Sequence, residues 1–158
     1  MTSVQPIPEG FPVITPRLFC RNPGVESMFC QQTFRAKVLN ERAAPDGKIL
    51  HALVSIGPAM VMIESEWPGF PNRPPDASGS SPVAMFVYVA DVDAAFSRAV
   101  DGGAKVLMPL ANQFWGDRTG WVIDPEGHVW TIASRIEETT EEQRKERLAA
   151  IFAKSART

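Results

Sequence analysis

The sequence predicts an α+β fold built from two βαβββ modules, and three observations lead to this expectation. The order strand, helix and three strands occurs twice along the 158-residue chain. A stretch rich in Pro, Gly and Ser separates the two copies and has no hydrophobic periodicity. The second copy contains a hairpin, residues 114–130, that holds three of the four tryptophans. We therefore expect modules over 12–66 and 83–136, a linker over 67–82, and a C-terminal helix and tail over 137–158.

In the first module, residues 13–21 alternate between apolar and polar side chains, which indicates a strand. Pro16 suggests an edge position for it. Helical spacing of apolar residues follows over 24–34, and two further strands, 49–56 and 60–64, read as a hairpin.

The second module repeats this order. Residues 83–89 alternate as a strand, Asp91 begins a helix, and Gly102 ends it. A strand over 105–110 and the Trp-rich hairpin complete the module. Beyond it, Thr140 and Gln143 have capping-box spacing at the start of a helix, which we expect to dock on the body or on a partner subunit.

Two pairs of markers align the copies. Asn22 and Asp91 each precede a helix, and Gly57 and Gly127 each lie in the turn between the last two strands. The alignment matches three pairs of positions: Thr15 with Ala84, His51 with Trp121, and Val61 with Thr131.

Each strand has a strongly apolar side, which should pack under the helices, and a mixed side. A mixed side carrying aromatic residues favours a ligand cleft over a second core closed by a partner subunit. By strand alternation this side contains Thr15, Arg17, Phe19, His51, Leu53, Ser55, Val61, Ile63, Ala84, Phe86, Tyr88, Trp121, Ile123, Thr131 and Ala133.

Composition narrows the classes of partner. The net charge of −2 argues against a nucleic-acid surface and against an anionic membrane. No apolar run reaches transmembrane length and no signal-peptide pattern is visible, so we expect a cytoplasmic location. Cys20 and Cys30 are expected to be free buried thiols.

Four motifs resemble the PhnB-like branch of the glyoxalase/bleomycin-resistance/dioxygenase superfamily, also called vicinal oxygen chelate. They are PDGKILHA at 45–52, VYVADVDA at 87–94, FWGDR at 114–118 and DPEGHVWTI at 124–132. The resemblance covers residues 12–153. It implies that the paired modules form a curved, cup-shaped sheet of eight strands, and that a homodimer is expected.

The resemblance also implies where a metal would bind. Enzymes of the superfamily hold a divalent cation with His, Gln or Glu on the first, fourth, fifth and eighth strands. The matching positions here are Thr15, Val61, Ala84 and Thr131, and none is a usual ligand. We therefore expect no cofactor. A fallback metal set would be His51, Glu64 and Glu66, although Glu64 should face away from the side of Val61.

Candidate ligand-binding residues follow from the mixed side. His51 is a general base or hydrogen-bonding group, or alternatively an imidazole bonded within the core. His128 should face the helices and be structural. Arg17 and Arg118 suit a carboxylate or phosphate, although Arg118 could instead pair with Asp117 or Asp124. The remaining candidates supply apolar walls or line the cup: Phe86, Tyr88, Trp115, Trp121 and Thr131.

The leading functional hypothesis is a protein that binds a small molecule in the cup without the usual metal, with His51 as acid or base if turnover occurs. One alternative is a divalent-metal-dependent lyase or dioxygenase of the glyoxalase type. Another is a protein-interaction module whose mixed side is covered by a partner. No phosphate-binding loop, nucleophile elbow or Cys/His metal spacing is present in the sequence.

Overall fold

The computed structural model describes residues 4–76 and 81–155, and it contains both predicted modules followed by a C-terminal helix. Residues 77–80 of the predicted linker and 156–158 of the predicted tail lie outside the described residues. The elements are β1 (Arg17–Cys20), α1 (Pro23–Phe34), β2 (Lys37–Ala43), β3 (Ile49–Ile56), β4 (Ala59–Ser65), β5 (Ala84–Tyr88), α2 (Val92–Asp101), β6 (Lys105–Asn112), β7 (Asp117–Ile123), β8 (Val129–Arg135) and α3 (Glu141–Ser155).

The eight strands form two mixed sheets of four, ordered β1-β4-β3-β2 and β5-β8-β7-β6. In each sheet the first and last strands of the module pair in parallel, and the other neighbours are antiparallel. The α+β architecture of two βαβββ modules is therefore confirmed. Within one chain, however, the eight strands do not join into a single hydrogen-bonded sheet.

The two modules pack together through their helix-facing sides. Apolar residues of both modules belong to one hydrophobic core, in which the ring of Phe34 lies 4.7 Å from that of Trp130. Arg98 of α2 donates two hydrogen bonds, at 2.9 and 3.1 Å, to the carbonyl of Thr33 at the end of α1. The opposite sides of the two sheets consequently point away from this shared core.

Matching polar caps begin the two helices. Asn22 accepts a hydrogen bond from the amide of Gly24 at 3.2 Å, and Pro23 occupies the first turn, where its missing N–H costs nothing. Asp91 accepts from the amide of Ala94 at 2.9 Å. The pairing of Asn22 with Asp91 as equivalent positions agrees with this geometry.

Strand β1 is shorter than the sequence suggested. Val13 and Ile14 are 85% and 83% exposed, so neither lies in the core, although both belong to the predicted strand over 13–21. Pro16 has no N–H for the ladder, although its carbonyl accepts from the amide of Met62 at 2.9 Å. Regular pairing with β4 therefore starts at Arg17.

The expected face of β4 was wrong. Val61 and Ile63 are 3% and 0% exposed and lie in the shared core, not on the mixed side. Because side chains alternate along a strand, the opposite side carries Met60, Met62 and Glu64.

The error comes from the lengths of two turns. Two residues, Gly57 and Pro58, separate the paired residues that close the β3–β4 hairpin, whereas five separate Ile123 from Val129 in the β7–β8 hairpin. A turn of even length and a turn of odd length bring positions of opposite parity onto one face of the hairpin, so matching Val61 to Thr131 through the two glycines assigns β4 the wrong face.

The strand registers identify the true equivalent of Thr131. Arg17 and Phe86 each lie five residues before their helix cap, and they pair with Met62 and Thr131 respectively. Met62, rather than Val61, is consequently the first-module counterpart of Thr131.

The predicted capping box of α3 is confirmed. Gln143 accepts from the amide of Thr140 at 2.8 Å, and the hydroxyl of Thr140 accepts from the amide of Gln143 at 3.2 Å. Arg147 pairs with Glu137 and so ties the helix to the body. In the part of the chain described, no helix combines the length and apolar character needed to cross a bilayer.

Candidate functional site

A polar cluster lies on the outward side of the first sheet, and we call Arg17, His51 and Glu64 the polar cluster. Pairing of β1 and β3 with β4 places Phe19 and His51 beside Glu64. Nδ1 of His51 is 2.9 Å from Oε1 of Glu64, and Nη2 of Arg17 is 3.4 Å from the same oxygen. The guanidinium of Arg17 also lies 5.3 Å from the centre of the Phe19 ring. Three neighbouring strands, β1, β3 and β4, thus each contribute one side chain to the polar cluster.

This geometry makes His51 a suitable acid–base or hydrogen-bonding group. A neutral imidazole that donates from Nδ1 to Glu64 keeps Nε2 as an acceptor for a ligand. The expectation that Glu64 faces away from the cup was based on the wrong face of β4, and Glu64 is the residue that orients His51.

A cavity of about 660 Å³ adjoins the polar cluster. Arg17 and Arg42 contribute two positive charges to it, and Glu64 contributes one negative charge. Two positive charges against one negative charge therefore favour an anionic group in this cavity. The other lining residues are Ala43, Leu50, Met62 and Trp67.

The outward side of the second sheet is aromatic, and we call Phe86, Tyr88 and Trp121 the aromatic wall. The rings of Phe86 and Tyr88 lie 5.1 Å apart. The three side chains are 52%, 56% and 39% exposed, which is high for residues of this size. Thr131 pairs in register with both Phe86 and Trp121, and with only 5% exposure it is largely covered.

Asp117 fixes one end of the aromatic wall. This buried carboxylate accepts from the Tyr88 hydroxyl at 2.7 Å, from Trp115 Nε1 at 2.8 Å and from Arg135 Nε at 2.5 Å. Burial by itself would raise the pKa of Asp117, but these hydrogen bonds outweigh it and hold the pKa below its ordinary value. The polar atoms of Tyr88 and Trp115 are therefore engaged with Asp117.

Arg118 does not join these groups. Its guanidinium makes a forked contact with Asp93 of α2, at 2.8 and 3.0 Å, and reaches Asn112 at 3.2 Å. Trp121 faces outward, so Arg118, three residues away, lies on the helix-facing side. The arginine is paired, as the structural alternative supposed, but its partner is neither Asp117 nor Asp124.

The four positions implied for a family metal do not suit a divalent cation. With Met62 replacing Val61 in the comparison, they hold two threonines, an alanine and a methionine, and none supplies a carboxylate or imidazole. The fallback set is also incomplete, because Glu66 is exposed and its partner is Arg73 at 3.8 Å. His51 and Glu64 alone come together.

Sequence inspection missed a buried cluster between the modules. Oxygen, sulfur and nitrogen donors of Glu26, Cys20 and His128 all lie within 4.8 Å of one another. His128 faces the helices, as expected, and both cysteines are free and buried, also as expected. Cys20 and His128 are 108 residues apart in sequence, so no local spacing motif could reveal the cluster. Burial raises the pKa values of the Cys20 thiol and the Glu26 carboxyl, and lowers that of His128.

Paired βαβββ modules define the class of protein. The sequence profile of the Glyoxalase/Bleomycin resistance protein/Dioxygenase superfamily matches residues 28–132, and the chain belongs to this superfamily. Its proteins commonly bind small molecules and form dimers.

Individual proteins of known sequence or structure are similar to this chain over most of its length. The chain is 36% identical over 130 residues to an uncharacterised protein of Mycobacterium bovis, covering 80% of this chain and 86% of the relative. Among solved structures, TioX from Micromonospora sp. ML1 is 28% identical, with a TM-score of 0.62 over 80% of this chain and all of its own. A PhnB protein from Bacillus cereus is 18% identical, with a TM-score of 0.61 over 78% of this chain and 99% of its own.

A metal-dependent enzyme also shares the fold. The fosfomycin resistance protein FosX from Listeria monocytogenes, solved with Mn(II) and a dihydroxypropylphosphonic acid, is 17% identical with a TM-score of 0.58 over 87% of this chain and 97% of its own. At this identity the likeness describes the fold alone.

Proposed function

We propose that the protein binds a small organic anion in its cup without a metal in the cup. The polar cluster and Arg42 would hold the anionic group by charge-assisted hydrogen bonds. The aromatic wall would pack against the apolar part of the ligand. The observation that carries the proposal is the cavity in which two arginines and a Glu64-oriented His51 surround about 660 Å³.

The same proposal includes a homodimer. In one chain the polar cluster lies on the first sheet and the aromatic wall on the second, and their outward sides do not face each other. The outward side of the second sheet carries exposed apolar residues, including Phe86 and Met108 at 52% and 50%. A second copy would bring the outward side of its second sheet against the polar cluster and cover these residues. Sedimentation velocity should then give twice the 17.3 kDa chain mass, and a monomer at micromolar concentration would contradict this part.

The absence of a cup metal is argued from the donors. Alanine offers no donor, threonine hydroxyls are weak ligands, and a thioether does not suit hard divalent cations. The rival metal-dependent enzyme would have to use His51 and Glu64 with no third protein ligand beside them among the described residues. That is too few for the usual zinc or iron site.

Two free buried cysteines support a reducing compartment, and we keep the cytoplasm as the proposed location. Reactive or paired cysteines would be expected in an oxidising one.

The experiment is a ligand titration followed by tryptophan fluorescence. A panel of aromatic carboxylates and phosphates is added, one compound at a time, to protein in a buffer that contains a metal chelator. Trp67 reports on the polar cluster, and Trp121 reports on the aromatic wall. At least one compound should quench saturably. Arg17→Gln should then weaken its affinity about tenfold or more, because a charge-assisted hydrogen bond contributes roughly 1.5–3 kcal/mol.

Arg118→Gln is the matched control. It removes the same kind of charge, but Arg118 is engaged with Asp93 on the helix-facing side, so affinity should stay unchanged. Equal losses in the two variants would contradict binding at the polar cluster. Saturable binding that appears only after divalent metal is added would favour the metal-dependent enzyme, and no saturable binding across the panel would favour a protein-interaction module.

A further inference from the structure

We propose that Cys20, Glu26 and His128 form a metal site for zinc or a similar borderline-soft divalent cation, buried between the two modules. We call these residues the buried triad. The site lies on the helix-facing side of the sheets and is distinct from the cup. Cys20 ends β1, Glu26 lies in α1, and His128 belongs to the β7–β8 turn, so the bound ion would join the first module to the second.

The distances suit tetrahedral coordination. Sγ of Cys20 and Nε2 of His128 lie 3.5 Å apart. Zinc–sulfur and zinc–nitrogen bonds of about 2.3 and 2.0–2.1 Å at a tetrahedral angle separate the two ligand atoms by about 3.5 Å. The Glu26 carboxylate is within 4.8 Å of both other donors. Three protein ligands of this type are the number used by zinc sites that keep one open position.

Glu26 is the independent sign of a missing partner. The side chain is fully buried, and Oε2 has no hydrogen-bond partner among the described atoms. Its Oε1 accepts from the thiol of Cys30, at 3.5 Å, and the carboxylate of Asp124 is a close neighbour. Two acidic side chains in one buried space are expensive, and a bound cation would offset their charge.

Neighbouring acids do not share this deficit. Asp124 accepts from the amides of Glu126 and His128, both at 2.9 Å, and from Trp130 Nε1 at 2.7 Å. Glu126 accepts from the amides of Arg21 and Asn22 at 2.6 and 3.1 Å. Each of these carboxylates is therefore satisfied by protein donors, whereas Oε2 of Glu26 has none among the described residues.

The surroundings of His128 match those of a metal ligand. Its Nε2 faces Sγ of Cys20, and the backbone of Phe19 is close enough to the ring to favour its charged form. A backbone group beside the ring is a common way to orient a ligating histidine. His128 also lines a cavity of about 420 Å³ whose walls also include β1, β5 and the described residues 72–75 and 81–83, and this cavity provides an entry path.

The test uses tag-free protein loaded with Co²⁺, followed by its absorption spectrum. One equivalent should bind and produce the near-ultraviolet charge-transfer band of a sulfur–cobalt bond, and the tetrahedral visible bands should accompany it. Cys20→Ser should lose the charge-transfer band, and His128→Gln and Glu26→Gln should each weaken binding at least tenfold.

Two controls separate this site from its neighbours. Cys30→Ser changes a nearby thiol outside the triad and should retain the band, as should His51→Gln, which alters the cup. X-ray absorption of the unaltered zinc-loaded protein avoids any folding defect of the variants, and it should show one sulfur ligand. No stoichiometric metal, a first shell without sulfur, or a band that survives Cys20→Ser would overturn the proposal in favour of a protonated Glu26 carboxyl.

Discussion

Asp117 holds the end of the aromatic wall, and its substitution tests that role. Asp117→Asn removes the charge that Tyr88, Trp115 and Arg135 share, so the free energy of unfolding should fall by about 1–3 kcal/mol. Asp101→Asn makes the same change on an exposed side chain, and it should leave the unfolding temperature unchanged within experimental error.

The acid dependence of stability should change in the same variant. Because the folded-state pKa of Asp117 lies below its ordinary 3.8, ionised Asp117 stabilises the fold fully above that value. The stabilisation is lost as the pH falls through the folded-state pKa. Urea unfolding of Asp117→Asn should therefore show a shallower loss of stability in acid than the unaltered protein, and parallel acid profiles would contradict the role.

Individual residues differ in how well strand alternation predicted them. His51 and Arg17 lie on the outward side as expected, because β1 and β3 are regular near them. Arg118 was proposed for its charge, but its odd separation from Trp121 puts it on the opposite side, where it pairs with Asp93. The buried triad could not be predicted, since only tertiary packing brings its members together.

At the scale of the elements, strand β4 shows that the length of a hairpin turn decides which side of the next strand faces outward. The two-residue β3–β4 turn and the longer β7–β8 turn both contain glycine, at Gly57 and Gly127, and sequence inspection treats them as equivalent. Register can be derived only when the turn residues that close each hairpin are known. Sequence inspection located the other strands but assigned no residues to β2, and the face of β4 required the pairing.

The β6–β7 connection depends on a glycine. Gly116 has φ +96°, and its carbonyl accepts from the amides of Ile136 and Glu137 at 2.9 and 3.0 Å. A Cβ there would collide with the carbonyl oxygen of Glu137. Gly116→Ala should cost on the order of 1 kcal/mol for backbone strain and about 1–3 kcal/mol more for the collision.

Gly47→Ala separates the two effects. Gly47 has φ +85° and nothing within 4 Å of an added Cβ, so only the strain applies. Chemical denaturation should rank Gly116→Ala well below Gly47→Ala in stability, and equal losses would mean that the collision is relieved by movement.

Helix α3 depends on its capping box, since none of its residues is buried. Thr140→Ala should destabilise the helix by about 0.5–2 kcal/mol while leaving the global unfolding temperature nearly unchanged. Hydrogen exchange of the α3 amides should accelerate accordingly. Glu146→Ala, at an exposed position inside the helix, should preserve protection, and identical exchange in both variants would show that packing rather than capping holds α3.

At the scale of the whole molecule, the duplicated architecture was predictable from the sequence. The order of strands and helix repeats, and equivalent cap and turn residues recur in both copies. The division into two sheets was not, since alternation describes each strand without saying which sheet edges meet. In the structure the helix-facing sides share one core, and the polar cluster and aromatic wall lie on separate sheets of one chain. In the proposed cup, the aromatic wall facing the polar cluster would therefore come from a second copy.

The most direct test of the cup is a nuclear magnetic resonance titration with the panel compound that quenches fluorescence. The imidazole signals of His51, in the first sheet, and the indole N–H of Trp121, in the second, should shift together and give one dissociation constant. Shifts confined to one sheet, or shifts of the buried triad and α3 with both reporters unmoved, would contradict a ligand site formed by the two outward sides.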